Sequence, residues 1–96
     1  MSKAYWIASV KITDPERYQQ YAELGPKAFQ KYGARILARA GETKFMEGEA
    51  RPRNVVVEFD SLELAEACYN SEEYQAAKNL REGAGEATIL IVEGVQ

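Results

Sequence analysis

Residues 55–81 read VVVEFDSLELAEACYNSEEYQAAKNLR, and this stretch decides the fold. Val55 to Phe59 is a β-branched and aromatic run of strand length, broken only by Glu58. Ser61 or Asp60 then offers a cap for a helix from Leu62 to Tyr69. Asn70 or Ser71 offers a second cap, for a helix from Glu72 to about Glu82. A strand feeding a helix that breaks and restarts is the second half of an alternating layout. Gly83-Ala84-Gly85 releases the chain into a last strand, Ala87 to Glu93.

Working outward, Tyr5 to Ile12 carries large apolar groups at both odd and even positions, the pattern of a strand covered on both faces. Asp14-Pro15-Glu16 starts a helix: Asp14 caps free N–H groups, Pro15 suits the first helical position and Glu16 is favoured by the helix dipole. Tyr18, Tyr21, Ala22, Ala28, Phe29 and Tyr32 follow at helical spacing, and Gly33 ends the run. Gly25-Pro26 in its middle is expected to kink or split it. A strand is expected from Arg35 to about Glu47, bulged near Gly41, then a charged turn from Gly48 to Pro52 and a strand from Arg53 to Phe59. Together these make a long hairpin.

The order β-α-β-β-α-β is the ferredoxin-like motif, an α+β fold with a four-stranded antiparallel sheet and both helices on one face, here with the second helix split. A sheet with one wet face would alternate apolar and polar. In this chain Val55, Val57 and Phe59 stand against Val56, and Leu90 and Val92 against Ile89 and Ile91. The uncovered face is therefore expected to meet the sheet of a second copy, giving a homodimer with its sheets face to face.

Ninety-six residues make one domain, 1–96, with a core small enough to gain from such association. The chain has one cysteine and no histidine, which removes histidine triads, histidine-ligated zinc and a histidine-bound haem from consideration. Cys68 is expected to be a small buried hydrophobe. Twelve basic against 15 acidic residues give a net charge of −3, the wrong balance for nucleic acid. No apolar run is long enough for a membrane span, and the N-terminus lacks a signal-peptide pattern, so a cytoplasmic protein is expected.

The chain also resembles a known family, domain of unknown function 1330 in the dimeric α/β-barrel superfamily. The resemblance runs through Tyr5-Trp6-Ile7, Thr13-Asp14-Pro15 with Tyr18, Tyr32-Gly33, Ala38 to Glu42 and Glu47-Gly48-Glu49. It continues through Val57 to Ser61, Ala67 with Tyr69-Asn70-Ser71, Tyr74-Gln75, Leu80-Arg81 and Val92-Glu93-Gly94. Ala34 stands where the family often shows a second glycine and Asp60 where it often has proline, departures that touch only turn geometry. The resemblance implies a ferredoxin-like protomer and a barrel-forming homodimer. Superfamily relatives include cofactor-independent monooxygenases, muconolactone isomerases and haem-dependent peroxidases, so the fold alone selects no chemistry.

Glu58 is a carboxylate in an apolar strand. With the hairpin turning near Gly48 to Glu49, Arg39 falls opposite it, and an Arg39–Glu58 ion pair is expected. Such a pair either ties two strands together or serves catalysis, Arg39 holding an anionic or enolate oxygen while Glu58 moves a proton. Ser61, Tyr69, Tyr74 and Arg81 gather at the helix break as candidate substrate-binding groups, with capping and core packing as the alternative roles. Tyr18 and Tyr21 are assigned to packing. The expected function is binding of a small aromatic or carboxylated metabolite, with cofactor-independent oxygenation or isomerisation as the chemistry and no metal or organic cofactor. The alternative is a non-catalytic binding or assembly module.

Overall fold

The structure, a computed structural model, describes residues 2–95. Met1 and Gln96, the ends of the expected domain, lie outside the described residues. The elements are β1 (Ala4–Ile12), α1 (Pro15–Lys31), β2 (Arg35–Arg39), β3 (Arg53–Phe59), α2 (Leu62–Asn70), α3 (Glu72–Arg81) and β4 (Gly85–Glu93). The four strands form one antiparallel sheet in the order β2-β3-β1-β4. This is the expected ferredoxin-like βαββαβ architecture with its second helix split.

Strand alternation sorts the side chains into two faces. Ala4, Trp6, Ala8 and Val10 of β1 and Val57 and Phe59 of β3 are buried, and they share one core with Tyr18, Ala28 and Phe29 of α1, Ala65 and Cys68 of α2 and Tyr74 of α3. All three helices therefore cover the same face. Trp6 sits at the centre, edge-on to Phe29 at 5.0 Å and to Tyr74 at 4.8 Å, and stacked on Phe59 at 6.0 Å between centroids. On the other face Ile7, Leu90 and Val92 are 37%, 48% and 47% exposed, an apolar surface that the protomer itself does not cover.

The helix ends follow local chemistry. Asp14 accepts from the Arg17 N–H, Ser61 from the Leu64 N–H and Ser71 from the Tyr74 N–H. Buried Ser71 also donates its hydroxyl to the Cys68 carbonyl, so one side chain closes α2 and opens α3. Caps of this kind contribute about 1 kcal/mol each. Of the expected kink or split at Gly25-Pro26, the split does not occur, since α1 continues through it as one helix. Tyr18 before Pro26 and Ala28 and Phe29 after it are buried, which anchors the helix on both sides of a residue with no N–H to donate. Gly33 follows α1 at φ 71°, the left-handed position that ends helices. At Gly85 a Cβ would lie 2.6 Å from the Lys11 carbonyl oxygen, so only glycine lets β4 begin this close to β1.

The largest departure from expectation is β2. It ends at Arg39 rather than near Glu47, and residues 40–52 form an irregular connection. Ala40 turns to φ 55°, and its N–H still reaches the Asn54 carbonyl before the chain leaves the sheet. Inside β2 the register slips between Ile36 and Ala38, so Arg35 pairs with Glu58 while Arg39 pairs with Val55. In a regular strand Arg35 and Arg39 would share a face. The extra residue puts them on opposite faces.

Candidate functional site

The expected Arg39–Glu58 pair is corrected by the strand register, which sets Arg35 opposite Glu58 and Arg39 opposite Val55, while the bulge decides the face on which Arg39 lies. Glu58 instead accepts from the Arg35 Nε at 2.7 Å and from the Tyr5 hydroxyl at 3.2 Å, while the Arg35 Nη2 donates to Asp60 at 2.8 Å. Lys3 stands 3.5 Å from Asp60. Arg35 beside them holds both carboxyls below their usual range, and the Glu58 carboxylate raises the Tyr5 phenol above its own. The network lies on the face turned away from the helices.

Its pH dependence follows from those directions. A carboxyl whose folded pKa is depressed stabilises the fold fully above its unfolded value and loses that contribution as pH falls through the folded value. The melting-temperature gap between wild type and Arg35→Gln should be fully open at neutral pH and close only as acid passes below the ordinary carboxylate values of 4.5 and 3.8. Melting curves from neutral pH to about pH 2.5 check this. A gap that stays constant into acid would show that Arg35 acts by packing rather than by charge.

The sheet face under the helices holds the cavity. It measures about 180 Å³ and lies between α1 and strands β1, β2 and β3. Register gives it two ends. Trp6, Val57 and Ile36 lie in one row across the sheet, and near this row Phe29 and Pro26 close an apolar end. Two to four residues along, Val10 pairs with Arg53 and Val55 with Arg39, and this end is lined by Arg39, Arg53, Arg81, Tyr18 and Tyr21.

The arginines are held by aromatic faces. The Arg53 guanidinium lies 5.4 Å from the Tyr18 ring centroid and the Arg81 guanidinium 5.0 Å from that of Tyr21, the two rings being neighbours at 5.3 Å. Stacking of this kind fixes a guanidinium plane while leaving its N–H edge free to donate. Among the described residues none of the three arginines forms an ion pair, and the buried Arg53 Nε has no hydrogen-bond partner. An unpaired buried donor costs about 1–3 kcal/mol. In a chain of net charge −3, three such cations around an apolar cavity form a local reversal of sign.

Of the residues singled out in the sequence, Arg39 and Arg81 line this cavity. Glu58 lies on the opposite sheet face, and Ser61 caps α2. Tyr69 and Tyr74 pack against Trp6, and the Tyr74 hydroxyl bonds that of Tyr21 at 2.9 Å. Burial raises the Tyr21 and Tyr74 phenols and pushes the Cys68 thiol up to about 12, so none of the three ionises near neutrality. Arg53, Tyr18 and Tyr21 were missed as candidates. A signal existed for Arg53, which shares the parity of Val55, Val57 and Phe59 and is thus a charge on the core-facing side of a strand. Among the described residues no group of three or more His, Cys, Asp or Glu side chains is placed to hold a metal, and no helix is long and apolar enough to cross a membrane.

A four-stranded antiparallel sheet with its helices on one face and a cavity beneath α1 defines a ferredoxin-like α+β domain. The model of the family described as Domain of unknown function (DUF1330) matches residues 3–95, and the chain belongs to that family. Among solved structures the fold is similar to RPA0582 of Rhodopseudomonas palustris, a protein of unknown function, at 14% identity and TM-score 0.76 over 99% of this chain and 84% of that one. It is also similar to a dimeric ferredoxin-like protein of unknown function from Jannaschia sp. CCS1, at 11% identity and TM-score 0.72 over 96% of this chain and 99% of that one. SnoaB, a cofactor-independent oxygenase from Streptomyces nogalater, matches at 3% identity and TM-score 0.71 over 100% of this chain and 96% of that one. At such identities the likeness shows a shared fold. Among curated proteins none matches the chain in sequence.

Proposed function

We propose that the protein is a cytoplasmic homodimer that binds a small planar metabolite, aromatic or carboxylated, in the cavity between α1 and the sheet, and that it acts there as a cofactor-independent oxygenase or isomerase. One observation carries the reading: three arginines without carboxylate partners among the described residues converge on an apolar cavity. Size supports it. A cavity of roughly 150 Å³ takes up benzene, so about 180 Å³ suits one ring with a small substituent. Arginines lining a site stabilise negative charge that develops on oxygen. That is the step shared by oxygenation through a carbanion and isomerisation through an enolate. Among the described lining residues there is no carboxylate, so the proton lost in that step goes to a solvent base such as hydroxide, and oxygenation takes dioxygen as its co-substrate. The exposed apolar sheet face and the dimeric Jannaschia neighbour support the homodimer.

The test is thermal shift with single-ring acids on wild type and Glu58→Gln. A ligand at ten times its Kd should stabilise wild type by about 1.4 kcal/mol, or roughly 6–11 °C for a domain this size. Glu58→Gln should melt lower on its own yet keep the ligand-induced shift, because Glu58 faces away from the cavity. If no compound shifts wild type, the pocket reading is to be dropped. If folded Glu58→Gln loses the shift, the site lies on the other face.

A further inference from the structure

The cavity has a polarity that narrows what it takes. Its apolar end, at the row of Trp6, Val57 and Ile36, is closed by rings and aliphatic groups that offer a ligand surface but no charge. At its other end Arg53 occupies a core-facing strand position between Arg39 on the neighbouring strand and Arg81 from the end of α3. These three differ in kind. Arg39 belongs to an exposed edge strand and Arg81 to a helix terminus, whereas Arg53 stacks on Tyr18 and has its Nε buried with no partner among the described residues. The two Nη groups at the end of a guanidinium present N–H bonds side by side, a fork that matches the two oxygens of a carboxylate.

We infer that Arg53 is the specificity-determining residue of the cavity and that the ligand class is single-ring monocarboxylates. The acid group docks on the Nη end of Arg53, which lines the cavity, whereas its Nε is sealed in the protein, with Arg39 and Arg81 supplying flanking charge and the ring lying against Trp6 and Ile36. The inference rests on the cavity being the binding site, as proposed above, and adds which residue reads the ligand and what group it reads. It also explains why a charge is tolerated at a position whose strand neighbours on that face are Val55, Val57 and Phe59. A neutral ligand of the same shape would leave the fork unsatisfied, and a site that loses a partner for a buried polar group discriminates strongly.

The experiment compares benzoate with benzamide, alike in size and shape and different in charge, by calorimetric titration of wild type, Arg53→Gln and Arg53→Lys. Wild type should prefer benzoate at least about tenfold. Arg53→Gln should lose that preference while still taking up benzamide. Arg53→Lys, which keeps the charge but not the fork, should fall between them. Equal affinity of wild type for both compounds would overturn the role of Arg53 and leave the pocket reading standing, whereas binding of neither compound would overturn both. A benzoate preference that survives in Arg53→Gln would move the reading of charge to Arg39 and Arg81. Should the variants unfold, the Arg53 Nη–H resonances of wild type decide: they must shift with benzoate and not with benzamide, and unmoved resonances refute the assignment.

Discussion

Trp6→Ala should cost about 3–5 kcal/mol of stability, the usual loss for a fully buried large aromatic side chain. Trp6 is 1% exposed and touches Phe29, Phe59, Tyr69 and Tyr74, so its removal opens a hole on which all three helices border. A domain of this length has roughly 5–14 kcal/mol of stability in total. The variant should therefore melt at least about 12 °C lower or fail to fold, and Trp6→Phe should recover much of the loss. A drop of less than about 4 °C for the alanine variant would mean that the aromatic cluster is not the keystone of the core.

The second large effect concerns the open face of the sheet. Leu90 pairs with Ile7 across β1 and β4, and Ile7 pairs with Val56 across β1 and β3, an apolar row in the middle of that face. A second sheet packed on it would bury any charge placed there without a partner, at a cost of several kcal/mol. Leu90→Asp should raise the dimer dissociation constant by at least about 100-fold. Within the protomer Leu90 is 48% exposed, so the fold itself should survive and circular dichroism should be unchanged. Sedimentation at about 10 µM should find wild type dimeric and the variant monomeric. A monomeric wild type, or a variant that remains a dimer, would remove the face-to-face arrangement.

The architecture was legible because local signals agreed with one another. Asp14-Pro15, Asp60-Ser61 and Asn70-Ser71 each mark a helix start, and of these residues the structure uses Asp14, Ser61 and Ser71 as caps. Strand faces were legible from two-residue alternation. The site was less so, for a reason that can be located. Within residues 35–47 Gly41 reads as a bulge in a strand that resumes with Thr43, Phe45 and Met46, and nothing in the composition reveals that β2 stops at Arg39 or that one extra residue enters between Ile36 and Ala38. That single residue carries Arg39 to the cavity face, and the hairpin register, displaced from one that turns at Gly48 to Glu49, sets Arg35 beside Glu58. Arg53 was legible by parity alone. Tyr18 and Tyr21 were not, because an aromatic at helical spacing reads as packing whether or not a guanidinium rests on it.

The arrangement also separates two jobs that the sequence had joined. The Tyr5, Arg35, Glu58 and Asp60 network belongs to the open face, where it borders the surface assigned to the second copy. The arginine cluster belongs to the covered face. Changes in the first should alter assembly and acid stability, and changes in the second should alter ligand binding.

The most direct test of the central claim is a titration of isotope-labelled wild type with benzoate, followed by nuclear magnetic resonance. The account predicts saturable shifts at the Trp6 indole N–H and at Arg39, Arg53 and Arg81, with Ile7, Glu58 and Leu90 unmoved. Shifts confined to the open face, or none at millimolar benzoate, would contradict it.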